Sequence, residues 1–250
     1  MTGNLLLRGM IVGILAGLIA FAFAYTFGEP QVDLAIAYED QVSAAAAAAS
    51  TEPVIDEPPL VTRETQAGIG LLTALVGFGA AIGGSFALVF ALAYGRLGAL
   101  GARSTAALLA LAAFVATGLV PQLKYPANPP AVGFDETIAA RTSLFFVLLA
   151  LSVICMVIAV LVAQRLWHRY GAWTAGTLAG ALYVALLSLA FLGLPAINEM
   201  PEGFDPMVVW NFRVASLGIH LVLWLVIGLG FGIVTERLVE RPRARLHAAA

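Results

Sequence analysis

The residues able to do chemistry are few enough to take singly: 13 Lys and Arg, 15 Asp and Glu, 3 His and one Cys in 250 residues. Asp33 follows Glu29 by four positions and Glu39 follows Asp33 by six. Carboxylates at that spacing are oxygen donors suited to a divalent cation. His220 lies inside a long apolar run, and an ionisable group at such a place faces a bundle interior and marks a pathway more often than lipid. Glu29, Asp33, Glu39 and His220 are therefore the candidate metal ligands; the plainer alternatives are solvated loop acids and a neutral, hydrogen-bonded histidine. A second set, Lys124, Arg141, Glu199 and Arg213, falls at the ends of apolar runs, where it is expected to form a charge network or gate, or to anchor the helix ends by snorkelling.

What is missing narrows the chemistry further. Cys155 is the sole cysteine, which excludes an internal disulfide and any CxxC site, and packing is its expected role. Lys124 is the sole lysine and no GxxxxGK[ST] segment exists, so there is no P-loop. HExxH and GxSxG are absent, and no aspartate pair lies within the apolar runs. A non-enzyme without a covalently bound cofactor is expected, and no nucleic-acid partner is implied.

The elements that must position these residues are membrane helices. Hydrophobic residues make up 61% and charged residues 11% of the chain, against about 25% charged in soluble domains, and the mean hydropathy is +0.94. Six runs are long enough to span a bilayer: 9–28, 65–95, 104–123, 142–164, 170–198 and 214–235. Residues 1–25 resemble a signal peptide, but the run is full spanning length and preceded by one arginine, so it is read as a retained helix. Nine basic residues (Arg8, Arg96, Arg103, Arg165, Arg169, Arg237, Arg241, Arg243, Arg245) fall on one side and four (Arg63, Lys124, Arg141, Arg213) on the other. The positive-inside rule then puts both termini in the cytoplasm. The expected fold is an all-α bundle of six membrane helices, one membrane domain over 1–240 with structured extracytoplasmic loops and a basic cytoplasmic tail, 241–250, in the cytoplasmic (inner) membrane.

The loops carry their own signals. The first outer loop, 29–64, opens with a helix-forming stretch and continues as TEPVIDEPPL, expected to be an extended strap. The second, KYPANPPAVGFDE, is stiffened by Pro126, Pro129 and Pro130 around Asn128. Pro121 is expected to end the third helix, Asp135 to cap the fourth, and Asp205 to cap the sixth, which runs to about Glu240. Gly9/Gly13/Gly17, Gly79/Gly83, Gly176/Gly180 and Gly228/Gly232 have small-xxx-small spacing, which suits a compact bundle or contact with another subunit.

Three stretches carry a family resemblance: LLLRGMIVGILAGLIAFAFAYTFGEPQVDLAIAYE, the KYPANPPAVG loop with RTSLFF beyond it, and PEGFDPMVVWNFRVASLGIHLVLW. Together they resemble the CbtA-type cobalt transporter subunits over nearly the whole chain outside the alanine-rich insert and the basic tail. The resemblance implies cobalt uptake, cobalt as the transported ligand, and a second small membrane subunit, CbtB-like, as partner. It further implies that Gly28, Glu29, Pro30, Glu39, the 124–133 loop, Arg141, Pro201, Glu202, Gly203, Trp210, Arg213 and 216–218 are the shared motif positions. At His220 the family is similar to glutamine. The competing expectation is a non-catalytic accessory subunit for an anionic or corrinoid ligand, or a scaffold, which the basic residues of the outer boundary and the glycine faces favour.

Overall fold

The computed structural model describes residues 2–49, 60–98 and 100–248, with side chains through residue 238. Among the described residues no strand occurs, and five helices are long and apolar enough to cross a membrane. They are α1, Thr2–Ala49; α2, Arg63–Ala93; α3, Ala102–Lys124; α4, Ile138–Gly193; and α5, Pro206–Ala248. The strap residues 51–59 lie outside the described residues, as do the side chains of the 241–250 tail, whose backbone continues α5 past Pro242 to Ala248.

α4 is 56 residues long but not one rod. Gly171 has φ 77° and ψ 166°, a conformation that only glycine adopts freely, and it breaks the helix into two limbs. The limbs fold back on one another: Ser152 Oγ and Tyr183 OH are 2.9 Å apart, and Cys155 and Ala159 of the first limb pack with Ala179 and Leu187 of the second. The buried cysteine packs within this largely apolar cluster.

The other helices form a second packing unit. A Cβ added at Gly9, Gly13 or Gly17 would collide with the backbone of Gly83, Gly79 or Leu75. α1 and α2 therefore meet backbone to backbone, the close approach that gives helices dispersion contact where lipid supplies no hydrophobic drive. Phe86, Phe90 and Phe231 then stack edge-on, with centroids 5.4 and 5.1 Å apart, and join Ala16, Ala106 and Trp224 in a core shared by α1, α2, α3 and α5. Gly228 and Gly232 fit against Ala110 and Ala106 of α3. Gly176 and Gly180 differ, because nothing lies within 4 Å of a Cβ placed there. The α4 hairpin meets the rest of the chain chiefly along 114–124 of α3, through Val115 and Val120.

The two poles of the bundle are distinct. Arg8 donates to the Val234 carbonyl, and Arg103 pairs with Glu236 at 2.6 Å, which brings the first helix and the far part of α5 to one pole. At the other pole α1 continues as a helix of 48 residues, about 70 Å at 1.5 Å per residue. Its Ala35 is buried with Val132, Phe204, Val208 and Val209, and the Tyr38 hydroxyl donates to the Glu202 carbonyl at 3.0 Å. The cap thus includes the 194–205 loop as well as the first two outer segments.

Three local expectations need correction. Pro121 does not end α3; a π-turn over Phe114–Leu119 absorbs the missing N–H, and the helix runs on to Lys124. Asp135 does not cap α4: it opens a 3-10 turn, Asp135–Thr137, and Thr137 occupies the N-cap of α4 without a side-chain capping bond. The run ending at 198 stops as helix at Gly193, because Leu194 turns extended before Pro195. Asp205 does cap α5, its carboxylate accepting from the Met207 N–H at 2.8 Å.

Candidate functional site

A cavity of about 410 Å³ lies where the hairpin and the four-helix unit part, beneath the proline-rich loop 125–134 and the 194–205 loop. Thr117 and Gln122 of α3 form one wall, Arg141 and Phe145 of α4 the second, and Arg213, Ser216 and His220 of α5 the third. Tyr125, Asn128, Val132 and residues Ile197–Met200 roof it. Arg213, Ser216 and His220 recur at three- and four-residue intervals, so one face of α5 presents them in order of depth.

The roof is held by backbone geometry that the loop's composition dictates. Ala131 has φ 64° and Gly133 φ 112°, and a Cβ at Gly133 would run into the Arg141 guanidinium. That guanidinium lies on the loop and donates to the Phe134 carbonyl at 3.2 Å. The Tyr125 hydroxyl donates to the Pro195 carbonyl at 2.7 Å, tying the second loop to the third, and burial pushes its pKa up. Glu199 completes the latch. Its Oε2 accepts from Thr137 Oγ1 at 2.6 Å and the Phe134 N–H at 3.0 Å, with Arg141 Nε at 3.5 Å. The Thr137 hydroxyl foremost, then the Phe134 amide and the Arg141 charge, hold this carboxyl below its ordinary range.

The expected charge network is therefore resolved into separate contacts. Arg141 and Glu199 pair; Lys124 Nζ donates to the Phe191 carbonyl at 2.7 Å and sits over that ring; Arg213 Nη2 donates to Asn128 Oδ1 at 2.8 Å. Glu29 does not meet Arg213: with Asp33 it binds Arg63, a residue the sequence marked only as an outer basic charge. One turn of helix puts Glu29 and Asp33 on the same face, where a single guanidinium spans both, while Glu39, six residues further, is exposed elsewhere. His220 lines the cavity, which none of these three acids does. Among the described residues no three His, Cys, Asp or Glu side chains come together in a group that could hold a metal ion. Asn128 and Pro126 line the cavity. Pro129 turns the loop, its carbonyl accepting from the Val132 N–H at 3.3 Å, and Pro130 follows it in the same turn.

Thr117 and Gln122 were not singled out by sequence, and Ser216 only as part of the shared motif at 216–218. Gln122 Nε2 donates to Ser216 Oγ at 3.0 Å, bridging α3 and α5 beside the cavity. Gly118 lets α5 approach, since a Cβ there would lie 3.2 Å from that of His220. The available signal was a cluster of uncharged polar residues and glycine at helical spacing next to a proline.

Neither a curated protein nor a solved structure matches the chain. A protein-family profile does, described as "Probable cobalt transporter subunit (CbtA)", over residues 2–236. Those residues take in α1 to α4, α5 as far as Glu236 and the whole cavity, and the chain belongs to the CbtA family.

Proposed function

We propose that this protein is the membrane-spanning subunit of a cobalt uptake system, in which the cavity beneath the outer loops receives the cargo from outside. The observation that carries the proposal is the cavity itself: it lies between two packing units at the capped pole, its mixed lining carries Arg141, Glu199 and Arg213 towards the loops, and His220 is its innermost ionisable group. The family supplies the metal. With the α4 hairpin counted as two limbs, the chain makes six spans, and both termini lie on the cytoplasmic side of the inner membrane, as the excess of arginine at that pole supports.

The outer acids act as a collecting field rather than a chelating cage. Glu29 and Asp33 are committed to Arg63, whereas Glu39 and Asp40 are exposed. Negative charge above the membrane raises the local concentration of a divalent cation whether or not any one carboxylate ligates it. A second, small membrane subunit completes the system, and the open Gly176/Gly180 face of the hairpin is where its helix packs. Cobalt accumulation in cells with and without the chain tests the proposal. Accumulation should fall severalfold on deletion and return on complementation; unchanged accumulation on deletion would sink the transport role.

A further inference from the structure

The charge of the cavity does not match a bare divalent cation. Two guanidiniums, Arg141 and Arg213, face it against one carboxylate, Glu199. That carboxylate already accepts from Thr137 and the Phe134 amide and lies beside Arg141. Arg213 has no such neutraliser. Its Nη2 is spent on the amide oxygen of Asn128, its Nε is buried without an acceptor, and among the described residues no ion pair to it is formed. Arg213 as a whole is half-buried, and a guanidinium N–H held out of water is costly unless an acceptor meets it. The planar fork of Arg is matched by two oxygens of one anionic group, as a carboxylate presents them.

We propose that the cavity binds a carboxylate-bearing small anion at Arg213, either free or with a metal ion chelated on it. The proposal takes its biological sense from the transport role above, because a chelated cation is a form of cargo that this lining accepts. Asn128 orients the guanidinium from the roof. Ser216 and His220 lie further along the same face of α5, the histidine about 10 Å from Arg213 along the helix. A carboxylate on Arg213 leaves the rest of a ligand reaching toward His220, whose imidazole suits a first-row metal. The volume of about 410 Å³ falls within the range of about 300–1,000 Å³ typical of small-molecule sites.

The test is calorimetric titration of the full-length protein in lipid nanodiscs with sodium citrate, with cobalt chloride, and with the cobalt–citrate complex, all at one ionic strength. Citrate should bind the wild type, about tenfold or more weakly to Arg213→Gln, and with intermediate affinity to Arg213→Lys, as the loss of one charged hydrogen-bond donor predicts. Asn128→Ala, in the loop outside the helices, should weaken citrate binding severalfold and serves if the arginine variants do not fold. His220→Gln separates the two sources: weaker binding of the cobalt complex alone identifies the chelate, and equal effects on both identify the free anion. Absence of citrate binding by the wild type, or equal affinity in Arg213→Gln, overturns the proposal. Cobalt accumulation in deletion cells is a separate readout. Citrate bound by a protein whose deletion leaves accumulation intact would remove the transport role and keep the site.

Discussion

Thr26 and Thr117 hold the same position in two different helices. Each stands four residues before a proline, Pro30 or Pro121, and donates its hydroxyl to the carbonyl four residues back, Ala22 at 2.7 Å and Ala113 at 2.8 Å. The proline lacks the N–H that would have served the threonine carbonyl. In both helices a π-turn absorbs the mismatch: the residue before the proline, Glu29 or Val120, reaches back five positions, to Ala24 or Val115. The sequence repeat is AFAYTFGEP and AFVATGLVP.

Thr117→Val keeps the shape and removes the hydroxyl. It should lower thermal stability in detergent by about 0.5–1.5 kcal/mol, the usual net value of one hydrogen bond. No change in unfolding midpoint would show that the threonine contributes nothing to the wide turn.

Glu199 makes the roof pH-sensitive in one direction. Its folded pKa lies below its unfolded value, so ionised Glu199 stabilises the fold fully above the ordinary carboxylate range. That contribution is lost as the pH falls through the depressed value. Wild type should therefore unfold at a higher temperature than Glu199→Gln at pH 7, and the two curves should converge as acid is added below about pH 4. A gap that stays constant into acid would assign the difference to shape rather than charge.

Glycine substitutions should sort by place. Gly13→Ala forces the α1–α2 backbones apart, because the added methyl meets the Gly79 carbonyl. Overpacking of this kind costs about 1–3 kcal/mol, and the purified yield should drop. Gly180→Ala, with open space around it, should leave the isolated chain's stability unchanged and weaken only the capture of a second membrane subunit. Matching losses of stability for both would refute the distinction.

Gly171→Ala tests the hairpin. A non-glycine residue at φ 77° and ψ 166° carries a penalty of about 1–3 kcal/mol, so the variant should melt earlier than wild type. Cysteine labelling in a Cys155→Ser background then reads the sides: Ser43→Cys should react with an impermeant reagent from outside and Gly3→Cys should not. Reaction of Gly3→Cys in intact cells would invert the topology.

The apolar runs and the stiffness of the proline loop could be read from composition because each is a property of one stretch. So could the helix that opens the first outer loop, from its propensities, and the Asp205 cap, from its place before Pro206. The persistence of helix through Pro30 and Pro121 could not, since a proline alone signals a stop and the compensating π-turn leaves no composition of its own. Nor could the cavity. Arg213 and Asn128 are 85 positions apart, and whether an arginine meets an acid, an amide or lipid depends on how the hairpin docks. The pairing of Arg63 could not be read for the same reason, as its two carboxylates lie in another helix.

The unbroken length of α1 has a mechanical consequence. Beyond its π-turn over Ala24–Gly28, the arm Glu29–Ala49 is 21 residues, about 30 Å. Ala35, two turns up that arm, is pressed against the residues that carry the cavity's roof. Measured from the glycine seam at Gly13, the tip at Ala49 is about 54 Å away, so a tilt of about 10° within the bilayer becomes a sideways movement of about 9 Å there. α1 is thus a lever with its fulcrum in the glycine seam against α2, and it passes any tilt of the membrane-embedded part to the loops above.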